Sequence, residues 1–364
     1  MAVAVVPEFD TFAACKIGEQ DHRFPQANRM ADIPTPSPRR LKRIAVFTSG
    51  GDAPGMNAAV RAVVRTAAYN DLHVYAIERG YAGMIEGNIN RIERRAVGNI
   101  MQHGGTVLKT ARSLEFMTPE GRKSAYDSLA AYDIDACIAV GGNGTFTGAD
   151  IFSKEYDVPF IGVPGTIDND IYGTDATIGY DTAVNTAVEA IDKIRDTAES
   201  HNRLFFVEVM GRHSGAIALA TGIGVGASQV LIPEVEATME GLIAKLKRIV
   251  KRKKRYSIVV VAEGSPLGRA RAIAEEVKEA VKEDFSVRAT VIGHLQRGGS
   301  PSASDRVLAS RLGYAAVTGL INGHYNTAVG VIDDKIVYTP LADAISKEKR
   351  VNEDLTKLAE ILAT

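Results

Sequence analysis

The sequence has 364 residues, 45% of them hydrophobic and 24% charged, and its 43 Lys and Arg against 44 Asp and Glu leave a formal net charge of −1. This is ordinary globular composition with enough chain for two domains, and it shows no excess of positive charge that would announce a nucleic-acid partner. With no apolar run of about 18 residues and no charged-then-apolar amino terminus, neither a membrane span nor a secretory signal is expected, and a cytoplasmic setting fits.

The two cysteines, Cys15 and Cys137, lie far apart and outside any C-x-x-C, so neither a disulfide framework nor a zinc cluster is expected. Residues 1–41 mix Pro, Gln, Asp and Arg without periodicity and run into Pro34-Thr35-Pro36-Ser37-Pro38, the pattern of a flexible extension. Met30-Ala31-Asp32 reads as the expected true start of translation.

From Lys42 the pattern sharpens. Arg43 to Thr48 is a buried parallel strand, and Ser49-Gly50-Gly51-Asp52-Ala53-Pro54-Gly55-Met56-Asn57 is a Gly-rich turn opening a helix. Such a turn either presents N–H groups to an anion at the positive helix end or simply reverses the chain. In that helix Arg61 and Arg65 are four apart, where like charges repel by a few tenths of a kcal/mol. The face is either solvated or grips a phosphate, with Arg94, Arg95, Arg195, Lys251 and Lys253 as further candidates for one anion site. Gly104 to Ser113 puts Arg112 after a short β-prone segment, as a phosphate clamp or a surface arginine. Asp135 to Val140 is another buried strand, ending in Gly141-Gly142-Asn143-Gly144-Thr145 ahead of a helix expected from about Phe146 to Ser153.

Val158 to Val163 is again strand-like, and Pro164-Gly165-Thr166-Ile167-Asp168-Asn169-Asp170 follows it, where ligands bind in open α/β sheets. Asp168 and Asp170, two apart, would leave the same side of an extended chain, one taking a proton while the other holds a cation or an arginine. The alternative is a polar turn.

A helix over about 182–199 and a strand over 203–209 come next, then Met210-Gly211-Arg212-His213-Ser214-Gly215, in which His213 lacks a triad partner and is read as structural. Further strands cover 229–232 and 257–262, the latter ending in Glu263-Gly264. The run Lys251 to Arg255 reads as a solvated helix end, and a charged helix spans about 269–284. Arg288 to Gly293 leads into His294-Leu295-Gln296-Arg297-Gly298-Gly299-Ser300-Pro301, a composition suited to a dianionic phosphate. A helix at 303–320, strands at 327–332 and 335–340 and a helix near 353–362 complete the chain. Gly turns, aspartates and arginines at several strand ends, without a metal-binding His/Cys set or a nucleophile elbow, point to phosphoryl transfer onto a small phosphorylated alcohol.

From about Arg43 to its end the chain also resembles 6-phosphofructokinase, the group that includes ATP-dependent bacterial enzymes. The resemblance rests on Thr48 to Asn57, on 164–170, on Val209-Met210-Gly211-Arg212 and on Gly293 to Pro301. It implies two similar Rossmann-like three-layer α/β domains with largely parallel sheets and the active site in the cleft between them. The boundaries expected are a nucleotide-binding domain at 42–179 plus 296–346 and a sugar-phosphate-binding domain at 180–295 plus 347–364. The family implies Asp168 as the base on the fructose 1-hydroxyl, supported by Thr166 and Asp170, with Arg212 and Arg112 facing the transferring group. It implies Met210, Gly211, Glu263, His294 and Arg297 as fructose 6-phosphate contacts, with Arg203 and Arg288 reaching in from a neighbouring subunit of a homotetramer. Gly51, Arg112, Ser113, Gly142, Asn143, Gly144 and Thr145 match ATP contacts, and Arg61, Arg65, Arg195, Lys251 and Lys253 match a site for nucleotide or metabolite effectors.

Gly144 and Gly165 stand where pyrophosphate-using relatives carry Asp and Lys, which favours ATP by leaving room for a nucleotide. Asn143 replaces the family's Mg²⁺ aspartate and brings no negative charge to the metal. The competing readings are a pyrophosphate-dependent enzyme of the same family, a weakly catalytic regulatory paralogue motivated by Asn143, and a lipid or NAD kinase with a similar Gly-rich turn.

Overall fold

The computed structural model describes residues 39–251 and 256–363. Nearly all of the expected extension, the Met30 start and Lys253 lie outside the described residues.

The elements in chain order are β1 (Arg43–Thr48), α1 (Met56–Tyr69), β2 (His73–Ile77), α2 (Gly80–Glu86), β3 (Ile89–Ile92), α3 (Pro119–Ala131), β4 (Ala136–Gly141), α4 (Asn143–Tyr156), β5 (Phe160–Pro164), α5 (Tyr180–Ser200) and β6 (Arg203–Val209). They continue with α6 (Ala216–Gly224), β7 (Gln229–Leu231), α7 (Met239–Lys251), β8 (Ser257–Ala262), α8 (Ala270–Val281), β9 (Ser286–Val291), α9 (Ala303–Ile321), β10 (Thr327–Ile332), β11 (Lys335–Pro340), α10 (Leu341–Ser346) and α11 (Glu353–Leu362). A seven-stranded sheet runs β11-β10-β5-β4-β1-β2-β3, and a four-stranded one runs β7-β8-β6-β9. The smaller sheet is parallel throughout; in the larger, only the outer pairs β10/β11 and β2/β3 are antiparallel.

The central strands are apolar end to end because both faces are covered. Along β1, Ile44 and Val46 face the core shared with α1, α5, α9 and the near face of the small sheet, while Ala45 and Phe47 face the core under α3 and α4. A third core lies between the outer face of the small sheet and the helices α7 and α8. The shared core joins the two halves, so the carboxyl ends of β1, β4 and β5 in one half and of β6 in the other are held facing a common cleft.

Three local expectations change. The helix after β4 begins at Asn143 and not near Phe146, because Gly142, in extended conformation, serves as its N-cap. That puts Asn143, Gly144 and Thr145 in the first turn; the Thr145 N–H bonds back to the Gly142 carbonyl at 3.0 Å, and those of Asn143 and Gly144 have no partner within the helix. Gly104 to Ser113 is a loop and not a strand: Lys109 N–H bonds back to the Thr106 carbonyl, and Gly105 and Lys109 hold positive φ. The aspartate stretch is a turn at Ile167-Asp168 with Asn169 left-handed at φ 51°, not extended chain. The basic run after α7 behaves as expected as far as it is described, with the helix ending at an exposed Lys251. No described helix is long and apolar enough to cross a membrane.

Candidate active site

A cavity of about 940 Å³ opens between the two halves. Gly51, Arg112, Ser113, Gly142, Asn143, Gly144, Thr145, Thr166, Asp168, Asp170, Arg212 and Arg297 all line it.

Asp168 is its chemical centre. It is only 3% exposed, its Oδ1 has no hydrogen-bond partner, and its Oδ2 lies 3.6 Å from Arg212 Nε. Burial, then the neighbouring Asp170, pushes the carboxyl up to about 6 against the opposing pull of Arg212 and Arg297. A carboxylate whose proton affinity is raised this far, with one oxygen uncommitted, is equipped to accept a proton from a bound hydroxyl. Thr166 Oγ1 accepts from Asp168 N–H at 3.2 Å and steadies the turn.

Arg212 is delivered by a tight reversal after β6. Gly211 has φ 138°, where a Cβ would come within 2.4 Å of the Ser214 carbonyl, and Arg212 itself is left-handed at φ 53°. The Glu263 Oε1 accepts both the Gly211 and Arg212 N–H groups, at 3.2 and 2.8 Å. This holds a backbone conformation that costs of order 1 kcal/mol or more. The Glu263 Oε2 is paired with Arg269 at 3.2 Å, so Glu263, expected as a sugar contact, braces the turn and lies outside the cavity lining. Met210 and Gly211 are likewise buried behind the wall, with Met210 N–H donating to Gln296 Oε1 at 2.9 Å.

Arg297 reaches over from the 3₁₀ turn at 293–297 and donates to the Asp52 carbonyl at 3.0 Å. Its guanidinium lies so near Gly51 that a Cβ there would sit 2.6 Å from Nη1. His294, in the same turn, is exposed and does not line the cavity.

Arg203 and Arg288 are not brought into the cleft. Arg203 opens β6, roughly 20 Å of strand from the end that reaches the cleft, and Arg288 is exposed in β9, in register with Phe205. Of the effector-site candidates, Arg61 and Arg65 share a face of α1, and burial together with Arg65 lowers the Arg61 guanidinium. Arg195 already donates to the Val225 carbonyl and lies over the Tyr256 ring.

Two further points concern the cavity wall. His213, read as structural, is exposed and lines the cleft; the left-handed Arg212 beside it turns it outward. Gly144 and Gly165 both line the cavity, and a Cβ at Gly144 meets nothing within 4 Å. A Cβ at 165 would stand 3.0 Å from both Met56 and Val140, because β5 is packed there against β4 and α1.

Sequence reading missed Tyr81, Glu234 and Lys349, which also line the cavity. Tyr81 bonds the Thr145 carbonyl at 2.6 Å and so supports the first turn of α4. Its signal in the sequence is no stronger than that of any core tyrosine.

Among the described residues no group of three or more His, Cys, Asp or Glu is placed to hold a metal by itself. Asn143 Nδ2 donates to Asp170 Oδ2 at 3.0 Å, leaving one Asp170 oxygen and the Asn143 amide oxygen uncommitted by that bond. One carboxylate and one amide suit a Mg²⁺ that arrives on phosphates and keeps several waters.

A buried carboxylate of raised proton affinity, cleft arginines and a helix amino end, gathered on one cleft between two α/β halves, are the features of a phosphoryl-transfer protein. The chain belongs to the phosphofructokinase family, whose model (Phosphofructokinase) matches residues 43–320. It is 56% identical over 322 residues to the ATP-dependent 6-phosphofructokinase of Cytophaga hutchinsonii, covering 88% of this chain and 98% of that one. Among solved structures it is similar to phosphofructokinase from Saccharomyces cerevisiae, at 36% identity and TM-score 0.79, over 88% of this chain and 46% of the longer yeast chain. It is also similar to a pyrophosphate-dependent phosphofructokinase from Marinobacter aquaeolei, at 26% identity and TM-score 0.76, over 86% of each chain.

Proposed function

We propose that the chain transfers the γ-phosphoryl group of ATP to the 1-hydroxyl of fructose 6-phosphate, giving fructose 1,6-bisphosphate and ADP. The observation that carries the reading is Asp168: buried, raised to about 6, with one free oxygen and an arginine at 3.6 Å. Asp168 takes the hydroxyl proton as the sugar oxygen bonds to phosphorus and the bond to the ADP oxygen breaks. Arg212 and Arg112 face the migrating group and offset its charge. The N–H groups of Gly142, Asn143 and Gly144 at the start of α4 cradle donor phosphates, and Arg297 stands over Gly51 at the boundary of donor and sugar sites. Asp170 and Asn143 would hold Mg²⁺ together with the donor phosphates, and the ion would supply charge neutralisation. Residues 42–179 plus 296–346 then serve the nucleotide and 180–295 plus 347–364 the sugar phosphate. Arg203 and Arg288, remote from this cleft, are free to serve the cleft of a neighbouring subunit in a homotetramer, and Arg61 with Arg65 remains the best-supported start of an effector site.

ATP is favoured over pyrophosphate because the Cytophaga relative is named for ATP and the pyrophosphate-dependent neighbour is much less similar. A coupled assay with fructose 6-phosphate and Mg²⁺ tests this. Turnover with ATP and little with pyrophosphate is expected; faster turnover with pyrophosphate, or none with either donor, overturns it.

Asn143 sets a second prediction. Asn143→Asp places two carboxylates about one hydrogen-bond length apart, so the variant melts at lower temperature than the parent without metal and gains more from added Mg²⁺, with a tighter apparent metal constant in the assay. An unchanged Mg²⁺ titration and an unchanged melt remove Asn143 from the metal site.

A further inference from the structure

No motif marks Lys349. It lies in the segment 347–352, which leaves α10, packed on α4 in the larger half, and enters α11, packed on α6 and β7 in the smaller. The segment thus crosses from one half to the other, and Ile345 to Lys349 form part of the cleft wall.

The Lys349 ammonium donates to Asn169 Oδ1 at 2.8 Å and to the Asp175 carbonyl at 2.9 Å, and Asn169 Nδ2 donates to the same carbonyl at 3.2 Å. These three bonds close a ring at the base of the aspartate turn. Asn169 is the residue between Asp168 and Asp170, and its left-handed conformation, φ 51°, is one that asparagine tolerates but does not prefer. The directions in which the two carboxylates leave the turn therefore depend on a residue pinned by an amine 180 positions away. The carboxylates of Asp170 and Asp175 face that amine, yet burial outweighs them and brings it down to about 8.

Resting on the reading of this cleft as the phosphoryl-transfer site, we propose that Lys349 is a positioning residue for the reaction. Its ammonium, carried on the segment that bridges the halves, locks Asn169 and so aims Asp168 at the hydroxyl and Asp170 at the metal. It does this without touching the reacting atoms.

The test measures kcat and KM for fructose 6-phosphate from about pH 6 to about pH 9, with thermal melts, for the parent, Lys349→Met and Lys349→Arg. Lys349→Met loses on the order of 100-fold in kcat, the scale of a roughly 1 Å misplacement, with a much smaller change in KM. Parent kcat falls as pH rises through about 8, where the amine loses its charge. Lys349→Arg recovers much of the lost rate and carries that fall to higher pH, since a guanidinium stays charged. A folded Lys349→Met with parental kcat, or Lys349→Arg with the parent's alkaline fall unmoved, overturns the proposal. If Lys349→Met does not fold, the Lys349→Arg profile decides alone. A parent inactive at every pH defeats the functional reading itself, and the role assigned to Lys349 falls with it.

Discussion

Asp168→Asn lowers kcat by about 100- to 10,000-fold, the range that a positioned general base contributes, while KM for fructose 6-phosphate changes little. The asparagine keeps the volume and the polar contact toward Arg212 but cannot accept the hydroxyl proton. In the parent, kcat falls as pH drops through about 6, because the buried carboxyl takes up its proton there and ceases to be a base. The variant, having no such group, loses that limb. Stability moves the opposite way. A folded carboxyl raised from 3.8 to about 6 makes the parent progressively less stable as pH rises from about 4 to about 6, a penalty of roughly 3 kcal/mol once fully ionised. Asp168→Asn removes that penalty, so it melts higher than the parent at pH 8 and no higher near pH 3. Urea melts at the two pH values, beside single-turnover kinetics, check both halves; a variant of parental kcat leaves the site without its base.

Arg212→Ala is expected to cost about 100- to 1,000-fold in kcat, the loss typical of removing one donor aimed at developing charge. It has a second signature that mere misfolding lacks. Arg212 holds the Asp168 proton affinity down, so its removal shifts the acid limb of kcat to higher pH. The Arg212→Lys variant restores part of the limb's position through its charge, but less of the rate, because an ammonium lacks the planar fork that matches phosphate oxygens. A limb unmoved in Arg212→Ala separates Arg212 from Asp168 electrostatically and confines it to the donor side. The left-handed backbone at 212 is braced by Glu263 and by Gly211, so truncating the side chain leaves the turn itself supported.

Much of this site was readable along the chain because its parts are local. Gly51, the Gly142–Thr145 turn and the 164–170 stretch each follow an apolar strand directly, and a parallel α/β sheet brings its strand ends to one edge. The resemblance added roles to the same residues. What was not readable depended on folding. Gly104 to Ser113 contains a short β-prone segment, yet Asn57 captures Val107 N–H at 2.7 Å and Thr48 captures the Lys109 carbonyl at 2.7 Å, so the segment is spent as a loop that presents Arg112. Glu263, a sugar contact by the resemblance, has its Oε1 engaged in holding the Met210 to Arg212 reversal.

The sequence by itself determined which strands end in glycine turns and carboxylates, and so the family and the fold, because these signals are written within a few consecutive positions. Only the tertiary structure decided that Asp168 is buried with a free oxygen and an arginine beside it, that Gly165 sits against Met56 and Val140, and that Lys349 pins the catalytic turn. Burial and proton affinity are set by whatever packs around a group, and here the neighbours come from strands and segments tens to hundreds of residues away, which no local pattern encodes.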